Sequence, residues 1–260
     1  MTQEERRLYL IKALLAEDAR LSGVTIPTDE EGQKTLLRAL MNIREPKEIS
    51  DDFLMVQDAY LKAELAGKKV TKLSDLTPIK GEQIYLWQGD ITTLEVDAIV
   101  NAANSQMLGC FAPNHKCIDN AIHTFAGMQL RSECFDLMQA QGHLESTGQA
   151  KITAAYNLPS KYVIHTVGPI VSGELTEEHK ALLASSYLSC LELAEKKNLA
   201  SIAFCCISTG EFHFPNEEAA KIAISTVEEF LAKSQSKMKV VFNIFKENDK
   251  KIYQELLSRG

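Results

Sequence analysis

A chain of 260 residues, 45% hydrophobic and 24% charged, has the apolar material for a sizeable core, either as one domain with an appendage or as two small domains. Its formal net charge of -7, with no long Lys/Arg run, disfavours a grip on nucleic acid, which needs several converging cations. No apolar run approaches the roughly 20 residues that span a bilayer, and the opening MTQEERRLYLIKALLAEDAR is not a signal-peptide pattern, so no membrane role and a cytoplasmic location are expected.

Residues 1 to about 66 read as helical. Leu8, Ile11, Leu14 and Leu15 keep helix spacing, and after a break at Pro27 so do Leu36, Leu37, Leu40 and Met41. Beyond Pro46, Ser50-Asp51-Asp52 can cap a third helix carrying Phe53, Leu54, Val56 and Tyr60. No catalytic constellation falls here; the expected role is a helical cap on the main domain, with partner binding as the alternative. Residues 67–81 form a polar connector, which divides the chain into an N-terminal extension, 1–80, and a main domain, 81–260. Strands are predicted at 82–88, 96–101, 151–156, 161–167, 201–207 and 238–245, and helices at about 117–126, 127–141, 177–197, 216–233 and 247–258. This alternation predicts an α/β fold with a mixed, mostly parallel sheet between helices. Ligands of such folds sit at the carboxyl ends of strands, where the loops 101–117 and 208–214 both fall.

The first of these loops carries the densest chemistry. Asn101 and Asn104 offer amides at a strand end, and Cys110, His115 and Cys117 follow with the spacing C-x4-H-x-C. Two thiolates and an imidazole favour zinc. A set of three leaves a fourth position open, as catalytic rather than structural zinc sites do. The same spacing also fits two buried thiols beside a surface histidine. Asp90, in Gly89-Asp90-Ile91-Thr92, can accept from an exocyclic amine or cap a turn. In Ser208-Thr209-Gly210-Glu211-Phe212, between a strand and a helix, Gly210 permits close backbone approach, and successive N–H groups can form an anion nest. His213 lies beside that loop and is a possible ligand contact. His123, His165 and Trp87 read as structural residues, and His143 and His179 as surface positions. Cys134, Cys190, Cys205 and Cys206 sit in apolar patterns and read as core thiols rather than a disulfide framework.

In this order, GDIT at 89–92, VDAIVNAAN at 96–104, YVIHTVGP at 162–169 and SIAFCCISTG at 201–210 resemble a macrodomain of the MacroD type, over about residues 80 to 255. One departure is clear. The glycine run that usually follows NAAN is replaced by Gly109-Cys110-Phe111-Ala112-Pro113-Asn114-His115-Lys116-Cys117, which looks like the zinc-containing macrodomains of bacterial protein-ADP-ribose hydrolases. The resemblance implies a macrodomain fold with an N-terminal helical extension and Zn2+ on Cys110, His115 and Cys117. It implies removal of mono-ADP-ribose from modified protein side chains, with acidic-residue esters as the substrate. Asp90 would take the adenine amine, with Ile91 and Asn101 also lining the site. Ser208, Thr209, Gly210 and Glu211 would cradle the diphosphate, and Phe212 would pack near the distal ribose. Asn104 and Asp119 stand where the catalytic pair of the family stands, although the inserted loop shifts Asp119 along the chain. The implied partners are ADP-ribose, a mono-ADP-ribosylated protein and a sirtuin-type ADP-ribosyltransferase. The rival expectations are a reader of ADP-ribose without turnover and a deacetylase of O-acetyl-ADP-ribose using the same pocket.

Overall fold

Three helices open the chain, each started by a side chain that satisfies its otherwise unpaired N–H groups. Thr2 and Glu5 form a capping box at α1 (Gln3–Ala16), Asp29 caps α2 (Glu30–Ile43) and Ser50 caps α3 (Asp51–Ala66). Their apolar faces meet in a core of their own, built from Leu10, Ile11, Leu14, Leu37, Leu40, Met41, Phe53 and Tyr60 among others. The computed structural model describes residues 1–258.

The stretch expected to be a polar connector is partly ordered into sheet. β1 (Thr71–Lys72) pairs in parallel with β4 (Leu94–Glu95), and β2 (Pro78–Lys80) pairs antiparallel with β3 (Ile84–Gln88). Strands of two or three residues are too short to carry a readable alternation.

The remaining strands are β5 (Ala98–Ala102), β6 (Ala150–Ala154), β7 (Tyr162–Thr166), β8 (Ser201–Phe204) and β9 (Lys239–Ile244). They complete a seven-stranded sheet of order β2-β3-β9-β8-β5-β7-β6. The run from β3 to β7 is parallel, and β2 and β6 are antiparallel edges. α4 (Ile118–Ala126), α5 (Met128–Gln141), α6 (Glu177–Lys196), α7 (Asn216–Ser234) and α8 (Glu247–Ser258) cover it. Ala98, Ile99, Val100, Ile202, Ala203, Phe204, Val240, Val241 and Phe242 are all buried, because central strands of a covered parallel sheet bury both faces. β8 ends at Phe204, three residues before its predicted end, where the chain turns off into a site loop. Among the described residues, no helix is long and apolar enough to cross a membrane.

Met128 at the start of α5 belongs to the core of the N-terminal helices, and α2 packs directly on α4. The extension therefore rests on the helix that follows the Asn101–Cys117 loop.

Candidate active site

Three strands deliver functional groups at their carboxyl ends. β5 runs into Asn104 and the loop with the two cysteines, β8 into the loop 208–214, and β3 into Asp90. In the sheet order, β8 and β5 are neighbours, so the two long loops open on the same edge.

Asp119, in the first turn of α4, is 5% exposed and sits at the centre of a buried polar network. Its Oδ1 accepts from Asn101 Nδ2 at 2.8 Å and lies 3.5 Å from His123 Nε2 one helical turn on. Asn104 Nδ2 is 3.5 Å from Asp119 Oδ2 and donates to the Gly109 carbonyl, while Asn104 Oδ1 accepts from the Gln106 amide. The amide of Asn104 is thus fixed at both ends and set against the carboxylate. Burial pushes the Asp119 carboxyl up to about 6, against the opposing influence of the Asn101 hydrogen bond and the positive charge of Arg131. Asn101, expected to face ligand, is fully buried beneath this pair: its Nδ2 also lies 3.1 Å from His165 Nδ1, and its role is to hold Asp119.

His165 continues the network inward, with Nε2 2.9 Å from Thr153 Oγ1 and 3.8 Å from Cys134 Sγ. Burial holds its pKa down at about 3, so it is neutral. His123 is neutral for the same reason, and neither of its buried nitrogens has a hydrogen-bond partner. Its ring lies over Gly109, where φ is +81° and an added Cβ would come within 2.7 Å of the imidazole. Only glycine satisfies both conditions there.

The donor atoms of Cys110, His115 and Cys117 lie within 4.8 Å of one another. Tetrahedral zinc, with bonds of about 2.0–2.3 Å, draws its ligand atoms to about 3.5–3.8 Å of each other, so the loop needs only a small contraction. Among the described residues, no fourth side chain joins the cluster. The turn closed by the His115 amide on the Ala112 carbonyl, with Asn114 at φ +55°, swings the imidazole back toward the sulfurs. His115 Nδ1 is buried without a partner, and Nε2 faces Glu211 Oε1 at 3.8 Å. An outer carboxylate on one ring nitrogen and a vacant donor on the other is the usual arrangement around a metal-binding histidine. Burial, together with the neighbouring Cys110, pushes the Cys117 thiol up to about 12; a dication between the sulfurs would reverse that balance. Cys117 Sγ also caps α4 by accepting from the Asn120 amide at 3.4 Å. The donor set therefore fits zinc.

The second loop is held in a strained shape. Ser208 and His213, neither of them glycine, adopt φ of +65° and +56°. The loop is closed by the Phe214 amide on the Ser208 carbonyl and the His213 amide on the Gly210 carbonyl. It is tied to the segment after β7 by the Val171 amide on the Phe212 carbonyl. A Cβ on Gly168 would come within 2.1 Å of Ser208 Oγ, so the VGP glycine makes room for this loop. Thr209 Oγ1 donates to the Cys206 carbonyl, Gly210 and Glu211 are exposed at the tip, and Phe212 is half-buried. Ser208 Oγ is buried with no partner. His213 is exposed beside the tip.

Asp90 does cap the short 3-10 turn Ile91–Thr93, with Oδ1 accepting from both Thr92 N and Thr92 Oγ1. A carboxylate has about four acceptor positions, so the cap leaves capacity for a ligand. The Ile91 side chain, expected in the binding site, is 1% exposed in the sheet core, which leaves only its backbone for that purpose. Sequence reasoning missed Asn120, Arg131, Arg38 and Asn42, all of which touch the loop or its supports, and it read His123 as structural without seeing its place beside Asp119. The i, i+4 spacing of Asp119 and His123 on one helix was a usable signal; Asn120 reaches back only 8 to 10 residues to the loop, whereas Arg38, Asn42 and Arg131 act across long sequence separations.

A mixed, mostly parallel sheet covered by helices, with a buried amide–carboxylate pair, three clustered metal-ligating side chains and a strained loop at the carboxyl ends of its strands, defines the class: an α/β protein with its candidate site at that edge. The Macro domain family matches residues 100–223. A relative from Treponema medium, named protein-ADP-ribose hydrolase, is 58% identical over 261 residues, covering 99% of this chain and all of that one. A relative from Fusarium oxysporum f. sp. cubense, named "Probable bifunctional ADP-ribose hydrolase/ADP-ribosyltransferase", is 43% identical over 241 residues, which is 85% of this chain and 40% of that one. Among solved structures, a Trypanosoma brucei macrodomain in complex with ADP-ribose is 31% identical, with a TM-score of 0.66 over 84% of this chain and 94% of the other. The chain belongs to the macrodomain family.

Proposed function

We propose that this chain is a hydrolase that releases mono-ADP-ribose from a modified protein side chain, with zinc held by Cys110, His115 and Cys117 in the ADP-ribose pocket. One observation carries the reading: the candidate metal-ligand cluster lies in the loop between β5 and α4, with Asn104 at the start of that loop and Asp119 in the first turn of α4 at its end. Recognition alone needs no Lewis acid, so a reader module has no use for the three donors. The Treponema relative's name supports hydrolysis, and the Trypanosoma complex supports ADP-ribose as the ligand. The Fusarium relative's name pairs the hydrolase with an ADP-ribosyltransferase, which supports a transferase as the source of the substrate; the sirtuin type rests on family resemblance.

Asp90 accepts from the adenine amine, and the amides of Ser208 to Phe212 face the diphosphate. These contacts deliver the distal ribose to Asn104 and Asp119. Asn104, fixed by the Gly109 carbonyl and the Gln106 amide, orients a ribose hydroxyl. Asp119 orients an attacking oxygen or takes its proton. Glu211 Oε1 lies 3.8 Å from His115 Nε2, and the unpartnered Nδ1 is the nitrogen that would be left for the metal. Zinc, when bound, supplies a Lewis acid and an open position for a ribose hydroxyl, a water or the leaving oxygen. Cleavage leaves positive charge at the anomeric carbon, which a neighbouring carboxylate stabilises. The acceptor bond fitting this chemistry is an ester of an acidic side chain.

The test is turnover of a mono-ADP-ribosylated protein with metal analysis on the same preparation. Asn104→Ala should lower kcat by about a hundredfold, the worth of a fixed orienting group, with a far smaller loss of ADP-ribose affinity. A parent that binds ADP-ribose without turnover is a reader, and one that cleaves only O-acetyl-ADP-ribose is the deacetylase; either result overturns the proposal. Asp90→Ala should weaken ADP-ribose binding by about 1.5–3 kcal/mol, the cost of a lost hydrogen bond to a charged group. Because Asp90 also caps its turn, Asp90→Asn is the companion variant. It keeps a capping oxygen but loses the charge, and calorimetry finding Asp90→Asn and Asp90→Ala both equal to the parent would remove Asp90 from the adenine site.

A further inference from the structure

The loop with the zinc ligands is not held by the sheet alone. α2 carries Arg38 and Asn42 on one face, four residues apart, beside the apolar Leu37 and Met41. Arg38 Nη2 donates to the His115 carbonyl at 3.2 Å and to Asn120 Oδ1 at 2.8 Å, and Arg38 Nε adds a bond to the same oxygen at 3.3 Å. Asn120, fully buried, passes the grip on: its Nδ2 donates to the Cys110 carbonyl at 3.4 Å and the Ala112 carbonyl at 3.0 Å. Asn42, 1% exposed, accepts from the Asn114 amide at 2.9 Å and donates to Thr124 Oγ1 of α4 at 2.9 Å. Arg131 of α5 closes the set. Its Nη1 donates to the Met41, Asn42 and Arg44 carbonyls at the end of α2, its Nε donates to the Leu108 carbonyl, and its guanidinium lies 4.2 Å from the Phe111 ring centre.

The backbone at Cys110, Ala112, Asn114 and His115 is thus fixed by side chains that either belong to α2 or are anchored on it. Buried amides and guanidiniums are costly unless every partner is in place. The set is therefore complete only when the N-terminal helices are docked.

We propose that the N-terminal helical extension is a working part of the catalytic site, and that Arg38 and Asn42 are positioning residues which bring Cys110 and His115 into register with Cys117 as zinc ligands; this deepens, and rests on, the zinc-hydrolase reading. Arg38 fixes the carbonyl of the His115 ligand and, through Asn120, that of the Cys110 ligand. Asn42 fixes the turn between them. Neither touches the substrate.

The experiment compares full-length parent, Arg38→Ala, Arg38→Lys, Asn42→Ala and Lys34→Ala. Lys34 lies on the same helix but pairs with Glu30 and Glu64 at the surface. Four readouts apply: amide hydrogen exchange of residues 109–117, zinc release to a chelator, kcat against KM on a mono-ADP-ribosylated protein, and thermal melting. Arg38→Ala and Asn42→Ala should exchange the loop and release zinc at least about tenfold faster, the equivalent of one lost buried hydrogen bond. Their kcat should fall by a similar factor, with KM nearly unchanged and a cooperative melt. Arg38→Lys keeps one donor and should lie between parent and Arg38→Ala, and Lys34→Ala should match the parent. Parent-like loop exchange and zinc release in both alanine variants overturn the proposal. So does faster exchange spread evenly over helices and sheet, which marks a merely structural role. A parent without zinc overturns the zinc reading instead, and loop exchange then judges the positioning role alone.

Discussion

Cys117→Ser should lose bound zinc and about a thousandfold in turnover while melting cooperatively, like the chelated parent. Serine keeps an acceptor at the start of α4, where Cys117 Sγ now caps the Asn120 amide, and serine is among the best capping residues. What it removes is the soft thiolate that zinc selects. A Lewis acid at the reacting oxygens is worth several kcal/mol, and about 4 kcal/mol corresponds to the thousandfold expected. Cys117→Ala should lose zinc equally, and in addition about 1 kcal/mol of helix capping, so the pair separates the metal's effect from the cap's. The strands of the core lie elsewhere in the chain, so a cooperative transition should survive in both. In the parent, acid should release the ion, because protons compete for the thiolates and the imidazole. Zinc-free Cys117→Ser cleaving at the parent rate would end the catalytic claim. Collapse of the whole fold on zinc loss would make the metal structural.

What could be read from the sequence divides by distance along the chain. The clustering of Cys110, His115 and Cys117 was legible because all three fall between positions 110 and 117, with residue types whose chemistry suits soft metals, and the structure brings their donor atoms within 4.8 Å of one another. The central strands were legible because burial on both faces leaves unbroken apolar runs, as in Ala98-Ile99-Val100. The resemblance set Asn104 in the catalytic pair and Asn101 among the residues lining the site; the structure instead buries Asn101 beneath Asp119 and leaves Asn104 beside Gly109. Ile91 belonged to the GDIT motif, but its side chain belongs to the core. The strand β2, three residues long, carried no period to detect. Arg38 and Asn42 gave no functional signal, because the groups they hold lie 72 to 82 residues away. The only local hint was a polar pair at i, i+4 against the apolar stripe of α2. The positive φ of Ser208 is likewise a tertiary effect, made possible by the missing side chain at Gly168.

Asp119→Asn should all but abolish turnover and yet stabilise the fold at neutral pH. Burial raises the Asp119 carboxyl from the ordinary 3.8 to about 6, although Asn101 and Arg131 work in the other direction. The folded state therefore binds this proton more tightly than the unfolded chain does. The resulting stabilisation is fully present below about pH 4 and is lost as the pH rises through about 6. Above that, an ionised carboxylate is kept in a buried site at a cost of about 3 kcal/mol, by the usual conversion of a pKa difference into free energy. Asparagine keeps an oxygen for the Asn101 bond and removes the charge. Melting of chelated protein, so that metal release plays no part, should show Asp119→Asn more stable than the parent by up to about 3 kcal/mol at pH 8, and no more stable at pH 4. Turnover at pH 8 should fall by about a hundredfold or more, because the amide neither takes a proton nor opposes positive charge at the sugar. Equal stability of the two proteins at both pH values would mean that the carboxylate carries no such burden, and parent-like turnover would remove Asp119 from the chemistry. If both effects appear, one buried charge accounts for them: the group that weakens the resting fold is the one the reaction uses.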